Sequence, residues 1–199
     1  MAIVESPLLA LNAKKTIGKT LTYMRLKGQN VVRQRVIPAN PKTASQQTQR
    51  GLMSAAVALF HSLGLTAVDL AALNRWATAS FRKLSGYNLF VKTRVDYLIA
   101  NGDADVEPPN TITLGVPTPT TFNVEFDATG SETPNAYIGT SKTSQLTIVA
   151  CVAGEVQQWK AAFTGLAPST TYYFYLVSFD TDANEQRSGL YTFTTAASA

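Results

Sequence analysis

Phe163-Thr-Gly-Leu-Ala-Pro-Ser-Thr-Thr-Tyr-Tyr-Phe-Tyr-Leu-Val-Ser-Phe-Asp180 places a Pro- and Ser-bearing turn directly before an unbroken β-prone run. Tyr172, Phe174 and Leu176 alternate with Tyr173, Tyr175 and Val177, so both faces of this strand are apolar. One face belongs to a core. The other is covered by another chain, or is tolerated because tyrosines are amphipathic. Further strand-like runs lie at residues 122–126, 146–152, 158–163 and 190–194, separated by turn residues. That spacing and two-residue period read as a β-sandwich.

The spacing Leu166, Pro168, Thr170, Tyr172 resembles the Leu-x-Pro-x-Thr-x-Tyr signature of fibronectin type III domains, over roughly the final 90 residues. The resemblance implies three roles. Leu166 plugs the end of the sandwich, Pro168 fixes the turn, and Tyr172 is the tyrosine-corner residue whose hydroxyl returns to the backbone upstream. Residues 180–185 become the loop before the last strand. Phe126 stands where these domains usually carry a tryptophan, and the run 146–152 is unusually apolar, which leaves a related immunoglobulin-like variant open.

The 199 residues carry a net charge of +4 that hides an asymmetry. Residues 1–105 hold 14 Lys and Arg against 5 Asp and Glu, whereas residues 106–199 hold 3 against 8. Between the halves, residues 101–110 are rich in Gly, Pro and carboxylates and read as a linker. The expected domains are therefore a basic α+β anchoring domain over 1–100 and an all-β sandwich over 111–199. One cysteine, Cys151, gives no internal disulfide and no cysteine-based zinc site, and one histidine, His61, gives no multi-histidine centre. No apolar run approaches the roughly 18 residues that span a bilayer. The opening Met1–Lys15 stretch puts its acid before and its lysines after a short apolar run, the reverse of a secretory signal. A soluble protein without cofactors is expected.

In the basic half, the runs 20–27 and 30–37 alternate and are separated at Gly28 and Gln29, which predicts a β-hairpin. Arg25 and Lys27 share one face of the first strand, and Arg33 and Arg35 one face of the second. Paired, they are expected to form a basic ribbon together with Lys14, Lys15, Lys19 and Lys42. Three partners are open to it: an acidic protein surface, phosphates with Tyr23 stacking on a base, or solvent alone. Helices follow. The first is expected over 46–63, capped by Thr43 or Ser45 and ended by Gly64; the second starts at Thr66 with Asp69 three residues on. Its stripe is Leu70, Leu73, Ala77 and Phe81, with Trp76 beside it. Residues 87–99 form a third helix, or a short strand followed by a helix.

The stretch Arg33-Gln-Arg-Val-Ile-Pro-Ala-Asn-Pro-Lys-Thr-Ala-Ser-Gln-Gln-Thr-Gln-Arg50, with Trp76 and Ser85-Gly-Tyr-Asn-Leu-Phe-Val91, resembles a class of phage- and prophage-encoded virion proteins. That resemblance implies a non-enzymatic virion structural protein, assembled in the host cytoplasm and multimeric in the particle. The role is that of an auxiliary capsid or decoration protein, with a head–tail or tail accessory role as its neighbour. Its partners are other virion proteins, with nucleic acid as the alternative and no membrane. Arg25, Lys27, Arg33 and Arg35 are the expected electrostatic contacts, and Trp76, Tyr87 and Phe90 the apolar anchors. His61 reads as a helix residue and Cys151 as a small hydrophobe in a strand. Asp103, Asp105 and Glu107, and Asp180, Asp182, Asn184 and Glu185, are carboxylate-bearing turns. The second cluster starts like a calcium loop but has Glu185 where glycine is needed and Tyr191 where a bidentate Glu belongs. No spacing supports a glycosidase pair.

Overall fold

The computed structural model describes residues 2–3, 15–17, 20–26, 29–37, 40, 42–80, 84–102, 106–131, 133–154, 158–179 and 184–198. The chain divides into two compact units, Met1–Thr43 and Ala44–Ala199.

The first unit is an antiparallel sheet of β1 (Ala2–Ile3), β2 (Lys15–Ile17), β3 (Leu21–Leu26) and β4 (Gln29–Gln34), in the order β1-β4-β3-β2. The expected hairpin is β3 with β4, closed by the pair Leu26 and Gln29. Its register corrects the ribbon. Arg25 lies opposite Asn30 and Thr22 opposite Arg33, so odd positions of β3 share a face with even positions of β4. Positions 25 and 33 therefore fall on opposite faces, and the arginines do not form one stripe. Lys14, Lys19 and Lys27 lie outside the described residues. Val31 is the one fully buried side chain described in this unit.

The second unit begins with α1 (Ala44–Ser62), α2 (Ala67–Ala79) and α3 (Gly86–Asn101). Gly64, at φ 59°, ends the first helical segment in a left-handed conformation that favours glycine. Thr66 caps α2 as expected: Asp69 N–H donates to Thr66 Oγ1, and the Asp69 carboxylate accepts from Thr66 N–H at 2.8 Å. The buried face of α2 is Asp69, Ala72, Leu73 and Ala77, whereas Leu70 is exposed and Phe81 lies outside the described residues. The stripe is rotated because the carboxylate, not Leu70, points inward. The third segment is a helix throughout, capped by Ser85, and it buries Leu89, Phe90, Val91, Arg94, Val95, Tyr97 and Leu98. Those positions span well over half its circumference, as suits a helix packed against both α1 and α2.

The sandwich follows as β5 (Asn110–Leu114), β6 (Phe122–Asp127), β7 (Asn135–Gly139), β8 (Thr147–Ala150), β9 (Val152–Ala153), β10 (Gln158–Phe163), β11 (Thr171–Phe179), β12 (Glu185–Arg187) and β13 (Tyr191–Thr194). One sheet runs β5-β6-β10-β9 and the other β12-β11-β7-β8, with β13 also on β11. Alternate residues of both sheets make the core, including Phe122, Val124, Phe126, Ile138, Phe163, Phe174, Leu176 and Phe193. The apolar run 146–152, read as one strand, is two. β8 pairs with β7, and after Cys151 the chain crosses to the other sheet, where β9 pairs with β10.

Residues 101–110 do not behave as a free linker where they are described. Val106, Pro108, Pro109 and Asn110 are buried, Glu107 N–H donates to Thr129 O at 3.2 Å, and the Glu107 carbonyl accepts from Ser178 Oγ at 2.9 Å. Asp103 and Asp105 lie outside the described residues. The three helices thus share a compact unit with the sandwich rather than with the hairpin, and the boundary falls at 43/44 instead of 101–110.

β12 and β13 are two halves of one edge strand, interrupted at Ser188, Gly189 and Leu190. At the break, Leu190 N–H turns away from β11 and donates to Ala72 O of α2 at 3.0 Å. A Cβ on Gly189 would meet Ala72 C and Leu73 N at 2.7 Å each. Backbone cannot yield as a flexible side chain can, so Gly189→Ala is expected to cost at least about 2 kcal/mol in urea unfolding. Gly51→Ala, in exposed helix with nothing within 4 Å of the new Cβ, is expected to stabilise by about 0.5–1 kcal/mol. Equal signs for the two substitutions would refute this account of the helix–sheet approach.

Candidate docking site

At the end of β4 the chain leaves the sheet with its side chains in solvent. Arg33, Gln34, Arg35, Val36 and Ile37 are all exposed, the last two at 77% each. Arg35 N–H donates to Thr20 O, which holds the first residue past β4 beside the hairpin. Two cations and two β-branched apolar side chains therefore sit in one exposed run.

The expected apolar anchors are placed differently. Phe90 is 5% exposed and sits in the helical core, with its ring centroid 5.2 Å from that of Phe60. It cannot meet a partner without unfolding the helices. Tyr87 is partly exposed, and its ring meets Phe60 edge-on at 4.8 Å. Trp76 is half-buried, with the Arg187 guanidinium 4.7 Å from its ring centroid. Phe90 is thus committed inside the second unit, while Tyr87 and Trp76 keep part of their surface in solvent.

The tyrosine corner is present. Ala167 N–H donates to the Tyr172 hydroxyl oxygen at 2.9 Å, Leu166 is buried, and Leu166 N–H donates to Thr120 O at 3.0 Å. Pro168 is exposed and precedes Ser169, whose φ of 50° completes the tight turn. The second face of β11 is covered by the chain itself. Val177 is buried, and Tyr175 stacks on Tyr137 at 4.8 Å with the planes 4° apart. Arg187 lies 3.6 Å from the Tyr175 centroid.

The helices are joined to the sandwich by polar residues that sequence reading gave no such role. Asp69, 1% exposed, accepts from the Tyr191 hydroxyl at 2.7 Å and from Thr66 Oγ1 at 2.7 Å. Arg94 donates to Val106 O at 2.7 Å and to Gln186 Oε1 at 3.1 Å. Arg75 donates to Leu190 O at 2.7 Å. Asp69 was legible as a cap, but nothing local in the sequence marked Tyr191 as its partner. Burial pulls the Arg187 guanidinium down to about 10, and Nε is buried with no hydrogen-bond partner.

Among the described residues no group of three or more His, Cys, Asp or Glu could hold a metal ion. Asp180 and Asp182 of the expected turn lie outside the described residues. His61 is exposed on α1, its ring edge-on to Phe60. Leu146, Ile148 and Val152 leave the 146–152 run exposed on one side, while Val149 and Cys151 pack on the core.

No protein-family model matches the chain, and no curated protein does. Among solved structures, the chain is similar to a fibronectin type III domain of human fibronectin type III domain containing protein 3, at 18% identity over 50% of this chain and 94% of that one, TM-score 0.39. It is also similar to the fn3 domain of human contactin 1, at 15% identity over 50% of this chain and 87% of that one, TM-score 0.40. A computationally redesigned β-sandwich protein aligns at 24% identity over 47% of this chain and 93% of that one, TM-score 0.39. The C-terminal part of the chain is a fibronectin type III-like β-sandwich, as its strand order and tyrosine corner require.

Burial pushes the Cys151 thiol up to about 12. Alkylation by iodoacetamide at pH 8 is expected to run about two to three orders of magnitude slower than for a free thiol, because so little thiolate is present. Intact-mass spectrometry follows it, and denaturant should restore the ordinary rate.

Burial, then the neighbouring Asp69, raises the Tyr191 phenol above its ordinary value of 10.0. The folded state holds this proton more tightly than the unfolded one, so the contribution is full below about pH 10 and is lost as pH rises beyond it. Tyr191→Phe is expected to cost about 1.5–3 kcal/mol at pH 7, from a hydrogen bond to a carboxylate. The gap between variant and parent should narrow above about pH 10, in urea unfolding at both pH values. A gap that widens there would refute the assignment.

Proposed function

We propose that the chain is a non-enzymatic structural protein of a bacteriophage particle, an auxiliary capsid or decoration protein docked by its N-terminal sheet. The fibronectin type III-like unit is its displayed module. The observation that carries this reading is the exposed run Arg33–Ile37, which lies inside the stretch 33–50 that resembles phage virion proteins. Val36 and Ile37 each gain about 1.5–3 kcal/mol when fully buried, and adjacent arginines favour an acidic rim around the apolar contact.

The opposite-face register of positions 25 and 33 favours a protein surface over a phosphate backbone, which a single continuous cationic stripe would track. Copies arrayed on a lattice add avidity, so modest single-site affinity is sufficient. A head–tail or tail accessory position is the neighbouring reading and uses the same contacts.

The test is quantitative mass spectrometry of density-gradient-purified particles from a culture carrying the gene. A copy number close to that of the major capsid protein is expected, and a few tens of copies or fewer would move the protein to the neck or tail. Arg33→Glu with Arg35→Glu should lower incorporation by about tenfold or more while leaving the circular dichroism of the free protein unchanged. Complete absence of the parent protein from particles would overturn the virion reading.

A further inference from the structure

The two edges of the β12-β11-β7-β8 sheet differ. At the β12–β13 edge the chain meets α2, where Leu190 N–H donates to Ala72 O. At the other edge no described strand lies beyond β8. Cys151 N–H donates to Pro134 O at 3.2 Å, and the register sets Val149 opposite Ala136 and Thr147 opposite Ile138. Bonded and non-bonded pairs alternate along an antiparallel ladder, so Thr147 and Val149 turn their backbone groups to β7, whereas those of Ile148 and Ala150 point away from it. Among the described residues these outward groups have no hydrogen-bond partner. The side chains are uncovered too: Leu146 is 86% exposed, Ile148 58% and Val152 68%, while Val149 and Cys151 pack on the core. Edge strands are commonly guarded by a charge or a proline, and residues 143–154 contain neither.

We propose that β8 pairs with β8 of a second copy of this chain, antiparallel about a two-fold axis at Ile148. That axis sets Ile148 opposite itself and Leu146 opposite the second copy's Ala150, large against small on one face. Ile148, whose backbone groups point outward, then exchanges both hydrogen bonds with its copy. Because the run is uncharged, no like charges meet when it lies on itself, and a charged strand would find no counter-charge within it. Ile148 already faces Tyr137, and Tyr137 faces Tyr175, so the outer row of the sheet continues as apolar and aromatic side chains into the second copy. The strand is 4 residues long and the chain crosses to the other sheet after Cys151, which keeps the contact below the roughly 1,200 Å² of a stable interface. The dimer is therefore weak, and the two-fold closes it at two copies. This edge is independent of the docking run in the first unit, and its test does not involve particles.

Sedimentation equilibrium of the full chain is expected to show monomer and dimer in exchange, with a Kd of about 0.1–1 mM. Ile148→Lys sets two cations face to face at the axis and should weaken the dimer by about tenfold or more. Its circular dichroism should match the parent, because Ile148 is exposed. Amide hydrogen exchange of the ¹⁵N-labelled parent reads the register: exchange is expected to slow with rising concentration at Ile148 and Ala150, and to stay unchanged at Thr147 and Val149, which already bond to β7. A parent chain that stays monomeric at about 2 mM would overturn the proposal and leave the edge to a strand of different sequence. An association that Ile148→Lys does not weaken, one that grows past two copies, or one without the alternating exchange pattern would overturn it as well.

Discussion

A carboxylate buried to 1% exposure at the first turn of α2 is the constraint on which the second unit depends. Asp69 accepts from Thr66 N–H and Oγ1 within its own capping box and from the Tyr191 hydroxyl across to the last strand. A lone carboxylate in such a place would be strongly unfavourable, so each donor is required, and together they are what make burial tolerable. Because one donor belongs to β13 and two to the α2 cap, the network can form only when α2 sits on that strand. Local helix capping and the tertiary join are therefore one set of hydrogen bonds.

The rest of the junction follows from that placement. With α2 on the edge strand, the chain between β12 and β13 must pass the helix backbone closely, which Gly189 permits and which redirects Leu190 N–H to Ala72 O. Arg75 then reaches Leu190 O, and Arg94 of α3 reaches Val106 O and Gln186. Three of these four acceptors are backbone carbonyls, and one of them, Leu190 O, lies at the break in the edge strand, where it has no ladder partner to meet. The helices thus act as a cap for one interrupted edge strand, and Arg187 of that strand lies between Trp76 of α2 and Tyr175 of β11.

The sandwich was largely legible in the sequence because its signal is local: alternation within strands, and a tyrosine five residues from the backbone group it meets. Residues 110–114, 135–139 and 185–187 escaped strand assignment because they are short and weakly patterned, and their pairing is set by β6 and β11. The end of the first helix was legible from Gly64 and the start of the second from Thr66, whereas the Ser85 cap of α3 emerged only with the structure. What could not be read was the side to which the helices belong. Charge grouped them with the hairpin, but charge reports on solvent-facing residues, whereas domain membership is decided by buried ones such as Ala72, Asp69 and Arg94. Whether positions 25 and 33 share a face was not legible for a related reason. Each strand fixes its own alternation, but which alternations coincide depends on the turn that sets the register.

The two units also differ in what their described residues bury. The second has two apolar clusters and a polar junction connecting its layers. In the first, Val31 is the one described side chain that is fully buried, while Val36 and Ile37 stay in water. Ordering the backbone of a sheet costs about 1–2 kcal/mol per residue, which buried area must offset. Covering Val36 and Ile37 would add buried apolar area, so a partner that covers the run would stabilise the unit by mass action. The junction of the second unit differs in kind, since Asp69, Arg75 and Arg94 all meet partners within that unit.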